Sequence, residues 1–181
     1  MIKKLLIAGM IVVLGGFAQA QDSSESANTT VTGAEVANNS RFGDWIVACE
    51  AITVSKNVCR LMQELTLTEN NALVARFITF AGKEGDAILL AQVPIGVFLP
   101  GGAVYRIAED DTLEQREMIW QRCLGELCEA AINLSAEEIE LFGEKGAILF
   151  GYRSDANAEP IIVRVDTSEF PAAVAAITDK N

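Results

Sequence analysis

Residues 119–130 read IWQRCLGELCEA. Cys123 and Cys128 stand five positions apart, around the turn-like segment Leu-Gly-Glu-Leu. The stretch 113–123, LEQREMIWQRC, has the character of a strand, and EAAINL, residues 129–134, pairs back after the turn. Read this way, the segment is an antiparallel hairpin with a cysteine on each arm, and the chain is a β protein. Read as a pair of metal ligands or as a redox centre, the same residues would describe a different kind of molecule. The chain has four cysteines and no histidine. The choice therefore depends on the compartment in which those cysteines reside.

The N-terminus answers that. MIKKLLIAGMIVVLGGFAQAQD opens with Lys3 and Lys4, continues with an apolar run from Leu5 to Phe17, and supplies small residues at Ala18 and Ala20. This is the tripartite pattern of a secretory signal peptide, with cleavage expected after Ala20. The apolar run falls short of the ~20 residues a membrane-spanning helix needs, so no transmembrane segment is expected after signal cleavage. Cys49 is the first cysteine, which excludes a lipid-modified cysteine at the cleavage site. In an exported chain, an even number of cysteines reads as a disulfide framework. Local pairing, Cys49 with Cys59 and Cys123 with Cys128, is the expectation, worth about 2–3 kcal/mol for each small loop. A four-cysteine zinc site would need two-to-four-residue spacing, which Cys49 and Cys59 lack. A redox site would favour C-x-x-C at a helix start. No metal and no cofactor is expected.

Removing Lys3 and Lys4 lowers the basic count from 14 to 12 against 25 acidic residues, a net charge of −13. Such a surface repels phosphates and anionic headgroups, so neither nucleic acid nor lipid is an expected partner. Residues 21–40, QDSSESANTTVTGAEVANNS, lack aromatics and large aliphatics other than valine. They read as a disordered leader, because they bury too little apolar surface to offset ordering. Residues 41–178 read as a single domain, followed by a short tail at 179–181.

Within that domain, strands are expected over 42–50, 57–67, 72–80, 87–99, 103–108, 113–123, 129–134, 147–153 and 160–166. Two short helices are expected. Ser135-Ala136-Glu137-Glu138 is a capping box, with Gly143 as the helix end. FPAAVAAI, residues 170–177, is the second. The pattern predicts a mainly β fold, an antiparallel β-sandwich with two short helices.

FGDWIVACE at 42–50, a cysteine ten residues later, VPIGVFLPGGAVYRI at 93–107, IWQRC followed by a second cysteine, and the closing AILFGYRSDANAEPIIVRVDTSEFPAAVAAI resemble the invasion-associated locus B family. The resemblance spans about residues 42–177, with Leu127 standing before the last cysteine where the family often has glycine. It implies a small secreted protein of alphaproteobacterial type with an all-β domain. The founding member's link to host-cell invasion implies an envelope or host protein as partner. The family offers no agreed catalytic residues to carry over.

The residues themselves agree that catalysis is not expected. Without histidine there is no Ser-His-Asp or Cys-His nucleophile. No P-loop, dinucleotide fingerprint or EF-hand loop occurs. Glu109-Asp110-Asp111 reads as a solvated turn, since no ligand spacing makes it a calcium site. Paired carboxylates of a glycan-processing enzyme remain conceivable, and a deep acidic cleft would mark them. A periplasmic assembly or stress factor is the other alternative. Two tryptophans, Trp45 and Trp120, are expected to pack near the disulfides rather than to form a ligand platform. The most unusual stretch is QVPIGVFLPGG. Pro94 and Pro100 confine it to an edge or a crossing. Ile95, Val97, Phe98 and Leu99 then either pack into the core or form an exposed ridge for a protein partner.

Overall fold

The computed structural model describes residues 36–178, except Ser55, Glu109 and Asp111. The expected signal peptide, residues 1–20, most of the expected leader, 21–35, and the tail at 179–181 lie outside the described residues. Among the described residues, the chain runs through β1 (Arg41–Phe42), β2 (Trp45–Thr53), β3 (Lys56–Thr66), β4 (Leu73–Ala81) and β5 (Ala87–Pro94). A short 3-10 turn, Leu99–Gly101, leads to β6 (Ala103–Ile107), β7 (Arg116–Leu124) and β8 (Leu127–Leu134). Then come α1 (Ala136–Lys145), β9 (Ala147–Tyr152), β10 (Ile161–Asp166) and α2 (Phe170–Thr178).

The mainly β, antiparallel fold with two helices holds. Its layers are the two halves of one curled sheet, a half-barrel, in the order β1-β2-β3-β4-β5-β8-β7-β6-β9-β10. The join is β7, which pairs with β8 through Ile119↔Ala131 and with β6 through Ala103↔Met118. Period-two alternation places the core on the concave side. In β5, Ala87, Leu89, Ala91 and Val93 are buried, while Ile88, Leu90, Gln92 and Pro94 face outward.

The concave side is filled by aromatic contacts. Phe77 and Phe150 meet edge to face at 5.2 Å, and Trp45 lies 4.8 Å from Phe170. Such pairs add about 0.5–1.5 kcal/mol beyond area burial. The Trp45 indole N–H donates to the Asp166 carbonyl at 2.9 Å. That bond ties β2, near one end of the strand order, to the last residue of β10 at the other. Residues 36–40, read from sequence as part of the leader, lie along β2 instead. Asn39 N–H donates to the Val47 carbonyl, Val47 N–H to the Ser40 carbonyl, and Val36 packs on the core.

The capping box forms as expected. Glu138 N–H donates to Ser135 Oγ at 3.3 Å, and Ser135 N–H donates to Glu138 Oε2 at 3.1 Å. The helix, however, runs through Gly143 and ends at Gly146, whose φ is +75°. Gly143 instead makes room between the helices. A Cβ there would lie 2.5 Å from Pro171 Cγ, so the glycine permits α1 and α2 to touch. β5 likewise stops at Pro94, short of Leu99, because Gly96 takes a φ of +102° and turns the chain away.

Candidate functional site

The hairpin β7–β8 and the segment after Pro94, singled out separately in the sequence, meet in space. Cys123 and Cys128 are directly opposed across the hairpin and joined by a disulfide, their Cα atoms 3.9 Å apart. The turn between them uses Gly125 at a φ of +60°, a conformation glycine adopts without strain. On its other edge β8 pairs with β5, which puts Val93 opposite Cys128 and Pro94 opposite Leu127. Ile95 N–H then donates to the Glu126 carbonyl at 2.8 Å, so the crossing is pinned to the hairpin turn. Further on, Phe98 N–H donates to the Arg153 carbonyl at 2.8 Å.

The four ridge residues divide. Ile95 is 62% exposed and Leu99 45%. Val97 is half-buried and packs against the core, and Phe98 is half-buried. The sequence reading missed two further residues at this end of the sheet. Leu124, 73% exposed, sits in the hairpin beside Cys123, and Leu67, 48% exposed, follows β3. Leu124 had a signal: a large aliphatic residue placed in a tight turn, where polar residues or glycine are usual.

The other hairpin, β2–β3, is closed by Cys49 and Cys59, again directly opposed, with Cα atoms 4.0 Å apart. Of the tryptophans, Trp45 is buried, whereas Trp120 is half-buried against the core with its indole N–H unpaired.

On the outer face, a groove of about 820 Å³ lies over β5, β8 and β7. Leu90 and Ala131 line it with Ile88 and Ile119, and Arg122 and Glu129 border it. The Glu129 carboxylate accepts from Gln92 Nε2 at 2.8 Å and lies 3.6 Å from Arg122 Nε. A smaller groove of about 320 Å³ over β6 and β9 is lined by Val104, Leu149, Gly151, Arg106 and Arg153.

Among the described residues, three titrating groups are displaced, each for a structural reason. Burial, with Glu138 alongside, pushes the Tyr105 phenol upward; Tyr105 donates to Glu138 Oε1 at 3.2 Å, and Arg116 pairs with the same carboxylate. Burial also raises Tyr152, whose hydroxyl donates to the Val74 carbonyl. Asp110 is held below the ordinary carboxylate range by the Thr112 hydroxyl and by Lys145, 3.1 Å away. Asp110, part of the acidic run read as a turn, is thus engaged within the chain. Among the described residues, no cluster of three or more His, Cys, Asp or Glu is placed to hold a metal, and no helix is long and apolar enough to cross a membrane.

The family model described as "Invasion associated locus B (IalB) protein" matches residues 45–178. The crystal structure of invasion associated protein B from Bartonella henselae has a similar fold, with a TM-score of 0.66 over 77% of this chain and 94% of that one, at 15% identity. No curated protein matches the chain. The chain belongs to the invasion associated locus B family. Its two disulfides and that membership fit an extracytoplasmic protein.

Proposed function

We propose that this member of the invasion associated locus B family is a non-catalytic binding protein, exported to the periplasm or secreted. It engages an envelope or host protein through the apolar end of its sheet. The observation that carries this reading is the placement of Ile95 and Leu124, both exposed, on backbone fixed by the Cys123–Cys128 disulfide and by the Ile95–Glu126 hydrogen bond, with the exposed Leu99 four residues further along the crossing. Large aliphatic side chains grouped at a surface favour a protein partner. Holding Leu124 on a stapled hairpin, with Ile95 bonded to its turn, lowers the ordering cost of association. Val97 and Phe98 serve as the inner footing of the same segment. The signal-peptide pattern at residues 1–20 and the lack of histidine support export and the absence of nucleophilic catalysis.

Site-specific photo-crosslinking tests this. A photoreactive residue replacing Leu124 or Leu99 is expected to give a discrete adduct with envelope or host extract. The same probe at Val54, exposed on the β2–β3 hairpin tip at the opposite end, is expected to give none. Equal labelling from all three positions would contradict a localised surface.

A further inference from the structure

The outer face of β3, β4, β5, β8 and β7 carries charges in an order that complements itself when reversed. One cross-strand row reads Glu64, Arg76, Gln92, Glu129, Arg122. Neighbours along it already touch: Arg76 Nε lies 2.6 Å from Glu64 Oε1, and Gln92 Nε2 lies 2.8 Å from Glu129 Oε2. Reversing the row exchanges every acid for a base and leaves Gln92 at the centre. Consider a second copy laid face to face, related by a two-fold axis along β5. Gln92 then opposes Gln92 on the axis, its amide both donating and accepting, and Arg76 of each copy opposes Glu129 of the other one strand away, while Glu64 and Arg122, two strands from the axis, face each other across the wider gap that a convex face leaves.

The adjacent apolar row obeys the same operation. It reads Met62, Ile78, Leu90, Ala131, Ile119. Under the two-fold, Leu90 meets Leu90, and the bulky Ile78 of one copy faces the small Ala131 of the other. Ala131 lines the 820 Å³ groove, so a large side chain arrives at a hollow. The charged row has two acids and two bases, hence no net charge, in a chain of net −11. Elsewhere two acidic copies repel, whereas on this face they attract through paired opposite charges.

We infer that this face is the isologous interface of a homodimer, two sheets packed front to front about β5. Facing sheets pack about 10 Å apart with strands aligned within about 30°, which keeps the central rows in contact. A two-fold axis requires a self-complementary patch of this kind. The inference does not rest on the partner surface proposed above, which lies at the end of the sheet.

Sedimentation equilibrium of the purified protein across concentration is the test. The wild type is expected to approach twice the chain mass. Arg76→Glu and Glu129→Arg each place like charges opposite one another, and each is expected to weaken self-association at least about tenfold. An equimolar mixture of the two is expected to recover association, because opposite charges then face each other at both positions. A merely misfolded variant would not recover. Ile88→Arg, at a position 42% exposed on β5 and next to its own copy, is expected to give a folded monomer should the inverted-charge chains fail to fold. A wild type that stays monomeric throughout, or a dimer that none of these changes weakens, overturns the inference.

Discussion

Hairpins β2–β3 and β7–β8 each carry a disulfide between directly opposed residues, yet the two staples fix different parts of their hairpins. Cys49–Cys59 spans a sequence separation of 10 and clamps the middle of its hairpin, so Ile52 and Val54 project beyond the cross-link. Cys123–Cys128 spans 5 and sits at the turn itself. The first hairpin lies near the edge of the sheet. The second lies within it, between β5 and β6, and touches the crossing after Pro94. In both, one sulfur belongs to the core, since Cys59 and Cys128 are buried. The cross-link set back from its turn leaves nine residues beyond it, 50–58, and the one at the turn leaves four, 124–127. The second staple sits at its turn, and the exposed Leu124 is on that tip.

The largest expected effect separates the two tryptophans, one on each stapled hairpin. Trp45→Ala removes a buried ring, its contact with Phe170 and its bond to Asp166, and is expected to cost about 3–5 kcal/mol in denaturant unfolding. Trp120→Ala, half-buried and with no bond to lose, is expected to cost about 1–2 kcal/mol. Equal costs would erase the distinction. The staples come next. Loop-closure entropy predicts about 3 kcal/mol for the Cys49→Ala/Cys59→Ala pair and about 2 kcal/mol for Cys123→Ala/Cys128→Ala. Hydrogen exchange sharpens the contrast: the smaller loss is expected to unprotect Ile95, whose amide bonds to the hairpin turn, while loss of Cys49–Cys59 leaves that amide protected. Phe98→Ala is expected to fall lower, at about 1–2 kcal/mol, between a core deletion and a surface change. A cost above about 3 kcal/mol would return Phe98 to the core.

Legibility in the sequence followed the range of the physics involved. Strand alternation, the Ser135 capping box and the cysteine pairs are local, and each could be read from a dozen residues or fewer. The single curled sheet could not, because it depends on β8 and β7 lying between β5 and β6. No local pattern reports that order. Gly143 and Gly146 look alike as helix ends, and only the approach of Pro171 shows which one makes room and which one caps. Of the candidate surface, Ile95 and Leu99 stood out as apolar residues between two prolines. Leu124 carried its signal as an aliphatic residue in a tight turn, whereas Leu67 joins them only once the strand order puts its turn at the same end of the sheet.

The most direct measurement is an Ile95→Ser/Leu124→Ser double variant, read by thermal melting and by crosslinking from a probe at position 99. Ile95 and Leu124 are exposed, so stability is expected to stay within about 1 kcal/mol of wild type, the sum of two surface changes. The adduct formed by the same probe in the otherwise unchanged chain is expected to disappear. A double variant that melts as early as a core deletion, or one that keeps its full adduct yield, would contradict a stapled apolar end that serves binding rather than folding.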